Sequence, residues 1–401
     1  MELAGEFFVD RRRLLVMKTC YLNNAATTWP KPECVSEAMS NFLLNGGANS
    51  ARGSSSERDM NTMNIILDCR IKLAEFFGGY DDANPMLVTF TSNITESINI
   101  VLRGYLKPGM HVLTTSMEHN AVMRPLRFLE GQGVGVKVLA CDSEGLMNPD
   151  DLMRELSASK YDLVIMSHAS NVCGTIQPLE ESAEVCAKFG VPLVADTAQT
   201  AGVLPLNAED LGLAALCFTG HKGLMGPQGT GGIIWSPEFA EKVAPLITGG
   251  TGSYSHLEYQ PEDMPDKFEA GTPNLPGIAG LNAALDWLKT TGLKNIAERE
   301  RGLGLRLLEG LVSRKGVALA GKHSMDRRMS VFAFNVDGVD NGTLAERLSR
   351  VGFETRPSLH CAPSAHKTLG TFPEGALRVS PGYFNTEDDI DSFLAQLDIL
   401  L

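Results

Sequence analysis

No stretch of the 401-residue chain approaches the roughly 18 consecutive apolar residues that mark a membrane-spanning helix, so no membrane partner is expected. Basic residues are in deficit, with 35 Lys and Arg against 48 Asp and Glu and a net charge of −13. That balance argues against a nucleic-acid groove or an anionic membrane surface as the main partner. Internal repeats and low-complexity tracts are missing, and a hydrophobic content of 43% with 21% charged residues is that of an ordinary globular protein. The eight cysteines contain no Cys-x-x-Cys pair and no metal-like spacing. A metal site built from His360, Cys361 and His366 would lack a matching ligand pair elsewhere, so no metal is expected. Such scattered cysteines fit a reducing cytoplasm. A secretion signal is not expected: Arg11-Arg-Arg-Leu-Leu-Val-Met17 is basic then apolar, but its apolar part is short and no small-residue cleavage site follows. Met17 suits a natural start equally well, with residues 1–16 an upstream extension.

What is present is an alternation. Short apolar runs at 86–92, 111–117, 136–141, 163–168, 193–196, 216–219 and 232–235 are separated by amphipathic segments such as 95–106 and 179–189. Strands alternating with helices predict βαβ units and a mainly parallel, doubly wound sheet. Ligands of such sheets bind at the carboxyl ends of the strands. The expected division is an N-terminal extension at 1–20, a large unit at 21–260 with a loop and helix at 261–290, and a smaller α/β unit at 291–401. The small unit reads as strand 330–336, helix 343–351, strand 376–380 and helix 387–400, the last opened by the capping-box-like Thr386-Glu-Asp-Asp389.

The strand ends hold the chemistry. Ala215-Leu-Cys-Phe-Thr-Gly-His-Lys-Gly223 delivers Thr219, His221 and Lys222 to a sheet edge. A lysine amine reacts with an aldehyde only when neutral, and burial lowers its pKa from about 10.4. The plain alternative is a surface lysine after a strand. Asp196 ends another run, where a buried carboxylate needs a cation and a protonated pyridine nitrogen would serve; a helix-capping aspartate is the alternative. Asn93, Ile94 and Thr95 open a helix whose free N–H groups suit a phosphate, unless Ser92 or Asn93 is simply the N-cap. His119 follows a third strand and can stack on a ring or move protons, while Asn171 and Gln199 can donate to a ring hydroxyl. Cys361 sits in Arg356-Pro-Ser-Leu-His-Cys-Ala-Pro363, where His360 and Arg356 are cationic groups that favour a thiolate. Arg378 lies mid-strand between apolar neighbours, a place where guanidinium can clamp a carboxylate.

Taken together, Asp196-Thr-Ala-Gln199, Phe218-Thr-Gly-His-Lys-Gly-Leu-Met-Gly-Pro-Gln-Gly229 and the Cys361 segment resemble the class V aminotransferase-fold pyridoxal-phosphate enzymes. The likeness is to the cysteine desulfurases, and to their SufS-like branch, from Tyr21-Leu-Asn-Asn-Ala-Ala-Thr-Thr28 to Arg378-Val-Ser-Pro-Gly-Tyr-Phe-Asn-Thr386. It implies a fold-type-I homodimer whose large domain has a mainly parallel seven-stranded sheet, with a smaller C-terminal α/β domain. Conversion of L-cysteine to L-alanine is implied, with a persulfide left on Cys361, pyridoxal 5′-phosphate as cofactor and a sulfur-acceptor protein in iron–sulfur cluster assembly. Lys222 is then the Schiff-base lysine, Asp196 the pyridine partner, His119 the stacking base, and Asn171 and Gln199 the ring-hydroxyl contacts. Asn93, Thr95, Thr219 and His221 fall on phosphate positions, Thr272 in Gly271-Thr-Pro-Asn274 reaches the partner's phosphate, and Arg378, Asn171 and Arg356 take the substrate. The alternatives are a selenocysteine lyase or cysteine-sulfinate desulfinase, or an aminotransferase or epimerase of the same fold. Two departures stand out. Ile94 replaces a threonine of many relatives, and Ser364-Ala-His-Lys-Thr-Leu-Gly-Thr-Phe-Pro-Glu374 is unlike the usual continuation.

Overall fold

The computed structural model describes residues 19–49 and 56–400. The expected extension therefore lies, through residue 18, outside the described residues. Strand β1 (Cys20–Tyr21) is followed by seven strands of one sheet: β2 (Val88–Thr91), β3 (His111–Thr115), β4 (Gly135–Leu139), β5 (Leu163–Ser167), β6 (Leu193–Asp196), β7 (Ala215–Thr219) and β8 (Gly231–Trp235). Their order is β2-β8-β7-β6-β5-β3-β4, with every pairing parallel except the two made by β8. The doubly wound, mainly parallel architecture read from the alternation is what the chain adopts.

Why these runs are apolar throughout is visible in β5. Leu163 and Ile165 point into one apolar layer and Val164 and Met166 into the other. A strand covered on both faces has no polar side, so period-two alternation disappears. Each such side chain contributes about 1.5–3 kcal/mol when removed from water. Helices Ile94–Tyr105 and Asn120–Glu130 close one face, and Leu179–Phe189 and Leu275–Thr291 the other.

A second, antiparallel sheet has the order β12-β10-β9, from β9 (Val317–Ala320), β10 (Phe332–Val336) and β12 (Leu377–Val379). Strand β11 (Phe353–Glu354) pairs in parallel with β1, and Leu22 packs into the apolar cluster of this unit beside Phe332 and Phe393. The N-terminal residues thus join a unit whose other strands lie some 300 residues on. A two-residue strand carries no periodic signal, which is why β1 and β11 escape sequence inspection. Thr386 and Asp389 do form the expected reciprocal cap: Asp389 N donates to Thr386 Oγ1 at 3.1 Å, and Thr386 N donates to Asp389 Oδ2 at 3.0 Å.

Candidate active site

Parallel strands bring their carboxyl ends to one edge, and the candidate residues follow those ends directly. Thr91 leads to Asn93, Thr115 to His119, Ser167 to Asn171, Asp196 to Gln199, and Thr219 to Lys222. The floor is tied together by Glu118, which is fully buried. Its carboxylate accepts from Thr115 Oγ1 at 2.6 Å and from Ser167 N and Oγ at 3.0 and 2.7 Å, pinning β3 to β5. Burial pushes its pKa up to about 7 despite these donors.

Asp196, 4% exposed, accepts from Ala198 N at 2.9 Å and faces no cation among the described residues within ion-pair reach. Burial raises its pKa. Lys222 projects into the same site, half-covered, and its ammonium has no hydrogen-bond partner among the described residues. Burial lowers it to about 8, with Asp196 pulling the other way and Arg378 and Arg356 adding to the fall. An unpaired carboxylate facing a readily neutralised amine is a site short of one cationic, carbonyl-bearing group.

The Lys222 turn is held from behind. The His221 carbonyl accepts from Thr28 N at 3.1 Å, Thr27 Oγ1 at 3.0 Å, Thr28 Oγ1 at 3.3 Å and Lys31 Nζ at 2.7 Å. Gly202, at φ +86°, lies against Gly223, where a Cβ would fall 2.2 Å from the Gly223 backbone. Only glycine permits that approach, and it locks the loop after Asp196 to the loop after Lys222.

At the helix end beyond β2, the Asn93 side chain caps the helix by accepting from Glu96 N at 3.0 Å, and Glu96 reaches back to Ser92 N at 2.6 Å. The side chain of Asn93 thus performs the cap role, while the first-turn N–H groups of Ile94 and Thr95 have no i−4 carbonyl. Ile94 is buried in the apolar layer, so its side chain turns away from any ligand. Thr219 is buried, with its hydroxyl 3.5 Å from the Thr230 carbonyl, and His221 Nδ1 is buried without a partner among the described residues. Thr272 lines a different cavity, with Ser92 and Glu96, rather than the cleft of His119 and Cys361.

That second cleft, about 350 Å³, is lined by Thr95, His119 and Cys361 among others. His119 Nδ1 accepts from Ala121 N at 3.0 Å, so the ring proton is on Nε2, and burial lowers its pKa to about 4. Cys361 is exposed, at φ +58°, directly after His360 at φ +49°. Two successive non-glycine residues in the left-handed region are strained. The turn is held by Asn120 N donating to the Cys361 carbonyl and Asn171 Nδ2 donating to the His360 carbonyl, both at 2.8 Å. Arg356 Nη2 lies 3.6 Å from Cys361 Sγ.

His360 departs from its expected role as a cation beside the thiol. Its ring is buried: Nε2 lies 2.9 Å from the Arg356 carbonyl and Nδ1 3.0 Å from His366 Nε2, while His366 Nδ1 lies 2.7 Å from Thr371 Oγ1. A carbonyl only accepts, so His360 carries its proton on Nε2, His366 on Nε2, and Thr371 donates to His366. Both rings are neutral, held to about 3 and about 4 chiefly by burial. Arg356 is therefore the cation at the sulfur.

Arg378, 1% exposed on β12, donates to the Asn171 carbonyl at 2.8 Å and to Asn23 Oδ1 at 2.9 Å. Its Nε has no partner among the described residues, and burial with Arg356 nearby lowers its pKa to about 9. A buried guanidinium with an unspent N–H and no carboxylate is short of an anion. Gln199 donates instead to the Ala25 carbonyl at 3.1 Å. Asn23, Lys31, Glu118 and His366 are the site residues that sequence reasoning left without a role. Asn23 lay inside a quoted motif, but its partner is hundreds of positions away.

The chain belongs to the aminotransferase class-V family, whose model matches residues 20–393. Within that family it stands among the cysteine desulfurases. A probable cysteine desulfurase of Pseudomonas aeruginosa is 33% identical over 94% of this chain and 92% of its own, and one of Pyrococcus abyssi is 31% identical over 96% and 95%. The apo structure of a cysteine desulfurase from Thermococcus onnurineus superposes with a TM-score of 0.89 at 30% identity, covering 95% of this chain and 94% of that one.

Proposed function

We propose that this chain converts L-cysteine to L-alanine and retains the sulfur on Cys361 as a persulfide, with pyridoxal 5′-phosphate as cofactor. The observation that carries the reading is one edge of the sheet where the unpaired Lys222 and Asp196 meet an exposed cysteine donated to by Arg356. The cofactor fits the residues present: Asp196 for the ring nitrogen, Lys222 for the aldehyde, the neutral His119 ring for stacking. Asn171 and Gln199 lie on the ring-hydroxyl side, with Asn93, Thr95, Thr219 and His221 for the phosphate. When bound, pyridoxal phosphate supplies the electron sink that labilises bonds at the substrate's α and β carbons.

The chain's own groups do the rest. Arg378 clamps the substrate carboxylate, with Asn171 and Arg356 beside it. Lys222 and His119 hold and move the substrate protons. Cys361, as thiolate, attacks the substrate sulfur; an S–S bond forms, the substrate's C–S bond breaks, and the carbon keeps the electron pair and takes a proton. Cysteine plus enzyme thiol thus gives alanine plus enzyme persulfide, and an acceptor protein removes the sulfur.

The finer reading is a cytoplasmic homodimer of the SufS-like branch serving iron–sulfur assembly. Scattered cysteines with no Cys-x-x-Cys pair support a reducing compartment. The strongly exposed Leu43 and Leu44, with Met60 and Leu67 on the helix Glu57–Phe76, support burial against a second copy, whose phosphate Thr272 would reach. The expected division holds the cofactor in the unit 21–260, with 261–290 at the dimer contact, and delivers Cys361 from 291–401. Alanine and sulfide release from L-cysteine under reducing conditions tests the reaction: wild type is expected to produce both, Cys361→Ala neither. Full turnover by Cys361→Ala would overturn the assignment.

A further inference from the structure

The cleft that exposes Cys361 differs in charge from the rest of the molecule. Acids exceed bases by 13 over the whole chain, yet its lining includes Arg103 and Arg124 and no Asp or Glu. Both arginines are exposed, and neither meets a carboxylate among the described residues. The acids of the two helices that line the cleft are spoken for: Glu130 pairs with Arg127 at 2.8 Å, and Glu96 accepts from Ser92 N at 2.6 Å. Arg103 is oriented by the Phe128 ring, with its guanidinium carbon 5.0 Å from the centroid. The N-terminus of the helix Asn120–Glu130 opens into the same cleft through Asn120 and Ala121, adding positive potential. Arg124 also contributes to holding His119 neutral, so its field reaches the reacting centre.

The substrate does not need these groups. Its carboxylate has Arg378, which does not line this cleft. A cationic mouth over an exposed sulfur instead meets whatever approaches that sulfur from solvent. We infer that Arg103 and Arg124 seat carboxylates that flank the accepting thiol, so that the sulfur acceptor presents its cysteine on an acidic peptide segment. The inference rests on the persulfide reading of Cys361. In the transfer, the acceptor thiolate attacks the outer sulfur of the Cys361 persulfide, a new S–S bond forms, the old one breaks, and the Cys361 thiolate leaves with the electron pair.

The test loads the holoenzyme's Cys361 with persulfide from inorganic polysulfide, independently of cysteine turnover, and uses Cys361→Ala as background. Discharge is timed with three capped tripeptides in which cysteine is flanked by glutamates, glutamines or lysines. Wild type is expected to favour the acidic peptide over the neutral one by roughly three- to tenfold, the range that two solvent-exposed charge pairs supply, and to disfavour the basic one. The double variant R103Q/R124Q is expected to abolish that preference while leaving discharge to the neutral peptide unchanged. Added salt should compress the preference in the wild type alone. Equal rates with acidic and neutral peptides, or a preference that survives R103Q/R124Q, would overturn the inference. Failure to form persulfide from L-cysteine would instead strike the functional reading, because the polysulfide-loaded discharge is scored separately.

Discussion

His366 Nε2 lies 3.0 Å from His360 Nδ1, and both rings are buried behind the strained turn that exposes Cys361. The pair joins Thr371 on one side to the Arg356 carbonyl on the other, so it fixes both the backbone before Cys361 and the residue whose guanidinium reaches the sulfur.

His366→Leu leaves His360 Nδ1 buried without a donor, a loss of about 1–3 kcal/mol. His366→Gln keeps an N–H donor, and is expected to restore alkylation of Cys361 by iodoacetamide to near the wild-type rate while the leucine variant remains slow. Equal rates in the two variants would show that His366 merely fills space.

The same pair makes stability depend on pH. Both histidines are held below the ordinary value of about 6.5, so the unfolded chain binds more protons than the native one between about pH 4 and 6.5. Native stability is full above that window and falls as pH drops through it, by up to about 1.4 kcal/mol per pH unit for each proton. Urea unfolding across this range should show a shallower fall in His366→Gln than in wild type.

Lys222 is lowered to about 8, so its amine is increasingly neutral as pH rises toward that value. Uptake of pyridoxal phosphate by the apoenzyme, followed by the visible absorbance of the bound cofactor, should rise about tenfold from pH 6 to 7 and level off above about 8. Lys222→Ala should show no such rise.

Asp196→Asn removes the buried carboxylate with little change in shape. Turnover at saturating cofactor is expected to fall by roughly 10²–10³, the usual loss when one preorganised electrostatic partner is removed. An unchanged unfolding midpoint would assign that loss to chemistry rather than folding.

Arg378→Lys keeps the charge but loses the planar fork. Its expected mark is a KM for L-cysteine raised by at least about tenfold, with kcat less affected, because a carboxylate clamp acts mainly in binding. If KM stays put while kcat falls, Arg378 positions Asn171 rather than the substrate.

Much of this was legible in the one-dimensional chain. Strand ends announce themselves where apolar runs stop at polar residues, and Lys222, Asp196, His119 and Asn171 all sit at such stops. Cys361 stood out because a polar, proline-bearing segment does not bury a structural cysteine. The protonation of His360 was misread, since adjacency to Cys361 in sequence says nothing about where its ring points. A left-handed backbone at both residues turns the thiol outward, and burial holds the imidazole neutral.

By itself, then, the amino-acid sequence determined the sheet, the family and the candidate groups of the site, because periodicity and motif are short-range properties of the chain. The tertiary structure alone decided who supports them. Asn23 receives Arg378 from 355 residues away, Asn171 holds the His360 carbonyl across 189, and Lys31 reaches the His221 carbonyl across 190. A hydrogen bond between such distant positions imposes no local pattern, so it becomes visible only once the parallel strands have brought their ends to one edge.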